Sequence, residues 1–341
     1  MPVRKRVWLP LAAVAAALVT GAWSAAFAWR SLHAPLRIPA DGASLEIASG
    51  TPLRRISADL AARNLLDHPW LLDAYGRVSG EATRIRAGEY RLTAGTTPLT
   101  LVAQLVAGQV LLHQLTIVEG WRFTELLAAV RAHPAIRAGE LDGAAIMTTL
   151  GEPGVHPEGQ FFPDTYSFSK GTTDVELLRT AHEALRMHLA KAWDSRASDI
   201  EVHSPYEALI LASIIEKETA LPAERRMISG VFNQRLRRNM RLQTDPTVIY
   251  GLGESFDGNL RRQDLDRDTP YNTYTRAGLP PTPIALPGNA SLEAAVVPER
   301  TDALFFVATG RGDGSHYFSA TLEEHERAVR DYLRQLRNQT P

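Results

Sequence analysis

Three regimes of apolar patterning divide the chain. From Val7 to Trp29 no charged residue appears, and at 1.5 Å per residue a helix over that run reaches roughly 35 Å. The run predicts a single transmembrane helix over 7–29. Arg4, Lys5 and Arg6 precede it, while Arg30 and Arg37 follow more thinly, so the charge bias puts a short tail, 1–6, in the cytoplasm and the remainder outside. A cleaved signal peptide is the competing reading, because Ala26-Phe27-Ala28 has the small-x-small form of a cleavage site. The run is longer than a signal-peptide core, which favours a retained single-pass anchor. In either case the bulk of the protein is exported, which in a bacterium means facing the cell wall.

Beyond a Pro- and Gly-containing linker, 30–43, the periods shorten. Ser44–Ile47 reads as a strand, Pro52–Arg63 as an amphipathic helix with proline in its first turn, and His68–Val78 as a second helix. Arg84–Leu92 alternates as a strand does, and Pro98–Val106 gives another short helix. These units predict a small α+β module over 44–112. A larger unit over 113–341 opens with a strand, His113–Val118, and a helix, Phe123–Arg131. A Gly/Pro-rich loop follows, including Glu158–Tyr166. Long helices are expected over Asp174–Asp199, Pro205–Thr219 and Pro222–Arg238. A second Pro/Gly-rich stretch, Thr269–Gly288, leads to strands at Leu304–Ala308 and His316–Ser319 and a helix from Leu322 to about Leu336. The fold class is α+β, mixed and rich in helices.

The third regime is a stripe that runs into acids. Leu211, Ile214 and Ile215 fall at i, i+3 and i+4, and the next position of that face is Glu218. Glu216 lies about 200° away around the helix, so only one of the two acids shares the Ile214/Ile215 environment. Pro222 places Glu218 in the last turn, where unpaired carbonyls and the negative dipole end disfavour a carboxylate. Apolar contact and helix end together predict a raised pKa and a general acid at Glu218. The competing reading of Glu216-Lys217-Glu218 is a solvated charged patch.

Composition narrows the chemistry. The 341 residues carry 37 basic and 38 acidic side chains, which gives no reason to expect nucleic acid as a partner. Absence of cysteine excludes disulfides, thiol nucleophiles and cysteine-ligated metal. The ten histidines show no metal-ligand spacing, and no nucleophile elbow, phosphate loop or H-E-x-x-H helix occurs. Neither metal nor cofactor is expected. Leu242–Tyr250, Pro270–Tyr274 with Gly278–Pro281, and Glu158–Tyr166 instead concentrate aromatics, amides and acids on stiff loops. That mixture suits a sugar ligand, since pyranose faces stack on rings and hydroxyl and acetamido groups need amide partners.

Several blocks carry a family resemblance. Ala212-Ser-Ile-Ile-Glu-Lys-Glu-Thr219, Arg241-Leu-Gln-Thr-Asp-Pro-Thr-Val-Ile-Tyr-Gly251, Pro270-Tyr-Asn-Thr-Tyr274, Val118-Glu-Gly120 and Phe162-Pro-Asp-Thr-Tyr166 resemble the signature blocks of the endolytic murein transglycosylase (YceG-like) family. The resemblance implies an enzyme of the bacterial inner membrane, with its catalytic domain over 113–341 in the periplasm. The stretch Ile47–Leu60 resembles the opening of a LysM-type glycan-binding module, giving 44–112 a LysM-like identity. The implied substrate is nascent peptidoglycan glycan, cut internally between N-acetylmuramic acid and N-acetylglucosamine with 1,6-anhydro ends, in wall assembly and control of glycan length. Peptidoglycan synthases are the candidate protein partners. The resemblance carries the single catalytic role onto Glu218, with Glu216 as the fallback. Gln243, Asp245, Asn272 and Tyr274 are the expected substrate-positioning residues. A membrane-anchored peptidoglycan-binding scaffold without turnover is the alternative.

Overall fold

The apolar N-terminal run folds as helix α1 (Trp8–His33) in the computed structural model, which describes residues 8–339, with side chains from 13 to 337. The expected tail, 1–6, and Val7 lie outside the described residues. Among the described residues no helix is long and apolar enough to cross a membrane, so the expected span over 7–29 stands in the structure as a helix only.

The rest of the first unit, which comprises Met1–His113 and Phe168–Gly171, follows its sequence closely. Strand β1 (Ala43–Ile47), helices α2 (Leu53–Ala62) and α3 (Pro69–Ser79), strand β2 (Gly88–Leu92) and helix α4 (Pro98–Ala107) come in that order. β1 and β2 pair antiparallel, with Ala43 opposite Leu92 and Ile47 opposite Gly88. Alternation sends Leu45, Ile47, Tyr90 and Leu92 into a core completed by Leu60, Leu72, Leu101 and Leu105. β2 starts four residues later than expected, because Glu81–Thr83 makes a 3₁₀ turn after the left-handed Gly80 ends α3. Thr97 caps α4 reciprocally with Thr100.

The second unit comprises Gln114–Ser167 and Thr172–Pro341. Its elements begin with β3 (Leu112–Thr116), whose first two residues belong to the first unit, then α5 (Phe123–Ala132), β4 (Ile136–Arg137) and α6 (Gly143–Leu150). β5 (Thr165–Ser169) pairs with β3, and β6 (Thr172–Thr173) pairs parallel with β4. Helices α7 (Asp174–Asp194), α8 (Pro205–Glu218), α9 (Arg225–Arg237), α10 (Asp245–Leu252), α11 (Arg262–Asp266) and α12 (Asn289–Val296) follow, then β7 (Phe305–Ala308), β8 (His316–Ser319) and α13 (Leu322–Gln339). β7 and β8 pair antiparallel.

α8 is the axis of this unit. Ser204 caps it by accepting from the Glu207 amide at 3.1 Å, and Pro205 occupies its first turn. Every residue from Ala208 to Ile215 is buried. The helix therefore lies inside the core on all sides, where the sequence predicts one apolar stripe. α7, α9, α10 and α12 pack around it, and burial of each large aliphatic side chain contributes about 1.5–3 kcal/mol.

Candidate active site

Both acids at the end of α8 are withdrawn from bulk water, but they meet different surroundings. The Glu216 side chain is 6% exposed and receives the Arg225 Nη2 at 3.2 Å. Its other oxygen accepts from the Gly288 amide at 3.0 Å and the Ser291 hydroxyl at 2.7 Å. Those bonds tie α8 to α9 and to the start of α12, and they engage both oxygens. Glu216 is thus a bracket between three helices. Gly288 fits there because its neighbour Glu119 leaves no room: a Cβ at residue 288 would stand 1.8 Å from the Glu119 carboxylate.

Glu218 is the last residue of α8. Thr219, which caps the helix, is already extended at φ −143°, ψ 137°. The Glu218 carboxyl accepts a short hydrogen bond from the Thr244 hydroxyl on one oxygen. Desolvation by burial is the largest influence on it, and the carboxylate of Asp245 adds repulsion, so its pKa is pushed up to about 7. Thr244, His316 and Arg235 pull the other way. A carboxyl group poised near neutrality can give up a proton and take it back at working pH. Burial is the main cause, the neighbouring Asp245 charge adds to it, and Glu218 does sit at the helix end expected from the sequence.

Glu218 lines a cleft of about 420 Å³ with Arg235, Leu242, Gln243, Thr244, Asp245, Tyr274, Phe305, Phe306, Leu322 and His325. Three of the four expected positioning residues are there. Asp245 and Gln243 are exposed, and the Tyr274 hydroxyl donates to Asp245 at 2.5 Å. Burial and that contact with Asp245 raise the Tyr274 pKa, which keeps the phenol protonated as a donor. Gln243 adopts φ 51°, a left-handed conformation uncommon outside glycine and a local strain beside the acid. Its amide oxygen accepts from Arg235 Nη1 at 3.3 Å.

Asn272, the fourth, is not among the residues lining the cleft. It is fully buried, its amide nitrogen donates to the carbonyls of Asp264, Leu265 and Arg267, and its oxygen accepts from the Tyr274 amide. An asparagine so occupied braces the loop that presents Tyr274 and does not reach the cleft. Thr244, Arg235 and His325 are the polar cleft residues that sequence reasoning missed. Arg235 is buried and its guanidinium holds the carbonyls of Leu304, Arg241 and Leu242, so it fixes the loop carrying Gln243 and Thr244. Its position on α9 gave no signal, since it lies among several arginines there. His325 stacks on Phe305 at 5.1 Å, and burial lowers its pKa.

Another buried acid stands apart from this cleft. Glu158, in the loop expected to carry sugar contacts, accepts from the Phe123 amide at 2.9 Å, and burial pushes its pKa up to about 7. Among the described residues no cluster of acidic, histidine or cysteine side chains could hold a metal ion.

This helix-rich α+β chain falls in a known class: the YceG-like family matches residues 45–331. The chain belongs to that family. It is similar to an endolytic murein transglycosylase of Bacillus subtilis, with 32% identity over 309 residues spanning 85% of this chain and 84% of that protein. A second such enzyme, from Streptococcus pneumoniae serotype 2, is 26% identical over 84% of this chain, which spans 58% of that longer protein. A crystal structure of a YceG-like protein from Listeria monocytogenes aligns with TM-score 0.54 and 30% identity, covering 84% of this chain and 98% of that one.

Proposed function

We propose that this protein is a lytic transglycosylase that cuts murein glycan strands internally, with Glu218 as its single acid–base group. The observation that carries the reading is the desolvated Glu218 carboxyl, held near neutral pKa at the floor of a cleft. Most glycosidases divide acid and nucleophile between two carboxylates. A transglycosylase that closes an internal ring needs one. Protonated Glu218 donates to the glycosidic oxygen between N-acetylmuramic acid and the departing N-acetylglucosamine. Positive charge develops at C1, where the substrate's own acetamido carbonyl and the nearby Asp245 carboxylate can stabilise it. Ionised Glu218 then takes the proton of the C6 hydroxyl as that oxygen attacks C1, leaving a 1,6-anhydro end. The proton returns to the enzyme, so the group is reset for the next cut.

Tyr274 and Gln243 offer hydroxyl and amide partners at the cleft, and Phe305 and Phe306 supply its apolar wall. The first unit, with two helices between antiparallel strands, supports a LysM-like role in holding the glycan. The N-terminal helix and the residues before it are assigned to membrane targeting, with the catalytic unit on the wall side. Mass analysis of products from purified glycan strands tests the chemistry. Anhydro ends released by the wild type and absent for Glu218→Gln support it. Reducing ends would instead make Asp245 the second carboxylate of a hydrolase, and murein binding without any cleavage would leave a scaffold.

A further inference from the structure

Thr244 occupies the N-cap of α10, where a threonine hydroxyl ordinarily accepts from an amide of the first turn. Here it makes no such bond. The hydroxyl is turned to Glu218 instead, and the first turn is left without that side-chain cap. Two other buried threonines explain how this arrangement is kept. The Thr244 amide donates to Thr273 Oγ1 at 3.1 Å, the Thr247 hydroxyl donates to the Thr244 carbonyl at 2.8 Å, and the hydroxyls of Thr247 and Thr273 are 2.9 Å apart. All three residues are at most 3% exposed.

Every group in this ring is satisfied with the Thr244 amide donating to Thr273, the Thr273 hydroxyl to Thr247 and the Thr247 hydroxyl to the Thr244 carbonyl, to which the Thr273 hydroxyl is also a more distant donor at 3.4 Å. The ring consumes both polar groups of the Thr244 backbone and leaves only its side-chain hydroxyl free. A β-branched side chain on so fixed a backbone has a restricted χ1. We infer that Thr244 is a positioning residue whose hydroxyl, locked by the Thr247–Thr273 ring, holds one oxygen of Glu218 so that the transferable proton resides on the other, facing the cleft. The inference rests on the reading of Glu218 as the acid. It also accounts for the joint presence of the Gln243–Thr247 and Tyr271–Tyr274 blocks, which are brought together by Thr244 and Thr273.

The test is the pH profile of kcat on purified uncrosslinked glycan strands, for the full chain and for Thr244→Val, Thr244→Ser, Thr273→Val and Glu218→Gln. Valine keeps the shape and deletes the hydroxyl. A hydrogen bond that favours the carboxylate is lost, so the alkaline limb of Thr244→Val moves up by about one pH unit. Its plateau kcat falls about 10- to 100-fold, with KM within about twofold and Thr244→Ser restored most of the way to wild type. Thr273→Val retains the Thr244 hydroxyl but opens the ring, and shifts limb and plateau in the same directions by less; it carries the test if Thr244→Val does not fold. Profiles of Thr244→Val or Thr273→Val that superimpose on wild type while Glu218→Gln is inactive overturn the threonine role alone. A change confined to KM does the same. Turnover by Glu218→Gln overturns the acid reading and the positioning role with it.

Discussion

Replacing Glu218 by glutamine should make the protein more stable as it makes the enzyme inactive, and the gain should depend on pH. Glutamine matches the protonated acid in shape, and its amide oxygen can still accept from Thr244. Burial, with Asp245 adding to it, moves the Glu218 pKa from 4.5 to about 7, a difference worth roughly 3 kcal/mol. The sign is opposite to that of a salt-bridged carboxylate. Between the two values the native state keeps a proton that the unfolded chain has released, so stability falls as pH rises through that window and is level on either side. At about pH 4 both states of the wild type are protonated, and Glu218→Gln differs only by its packing. At about pH 8 the native wild type holds a desolvated charge that the variant lacks, and the variant gains up to about 3 kcal/mol relative to its value at low pH. Glu158 and Glu119 also have raised pKa values, but they are present in both proteins and cancel in the difference. Urea unfolding at a series of pH values measures the effect. Stability curves that run parallel from low to high pH would refute the argument that the Glu218 site penalises charge.

The remaining expectations concern its neighbours. Glu216→Ala removes the nearer partner of the buried Arg225, which keeps only Glu119 at 3.9 Å, and leaves the Gly288 amide and Ser291 without their acceptor, so chemical denaturation should show a loss of about 3–5 kcal/mol. Anhydro products should still form well below its lowered melting midpoint, and their absence in folded protein would return Glu216 to the chemistry. Asp245→Asn deletes the charge that repels ionised Glu218 while keeping an acceptor for Tyr274. The alkaline limb of the pH–rate profile should therefore move to lower pH, and an upward move would contradict the assigned electrostatics. Asn272→Ala withdraws two N–H donors shared among three loop carbonyls; a stability loss of about 1–3 kcal/mol and a lower kcat from a misplaced Tyr274 are expected. Unchanged stability in thermal melts would show that the brace is unimportant.

Much of the fold was legible because it obeys local rules. Proline at helix starts, the alternation of β1 and β2, and the long α7 and α8 appear in the structure within a few residues of their predicted positions. The patterning predicts neither α6 nor α10, α11 and α12. Asp245-Pro246 read as loop, though a proline in the first turn is also how a helix begins. α12 hides behind a Pro-rich stretch and is held by Glu216 from 75 positions away in sequence. β5 was read as loop because its ladder partner, β3, is remote in the chain.

The site divides in the same way. Helical geometry separated Glu216 from Glu218 by face, but it could not say that both faces are buried, so burial alone does not distinguish the two acids. What distinguishes them is the company each keeps after burial. Glu216 has a cation on one oxygen and two donors on the other, which gives it a structural part. Glu218 has one neutral hydroxyl on one oxygen, a carboxylate nearby and an open cleft, which favours a proton that can leave. Asn272 shows the same logic with the opposite outcome, since a residue type suited to sugars is consumed by carbonyls of its own loop. Residue type therefore selects what a side chain could do, and the count of its unoccupied lone pairs and donors decides whether a substrate can make use of it. By that count Glu218 remains open to a glycan, and Tyr274 only as an acceptor, since its proton is given to Asp245. Thr244 is committed to the acid and reaches the substrate only through it, which is why its loss should appear in kcat and in the pH profile before it appears in KM.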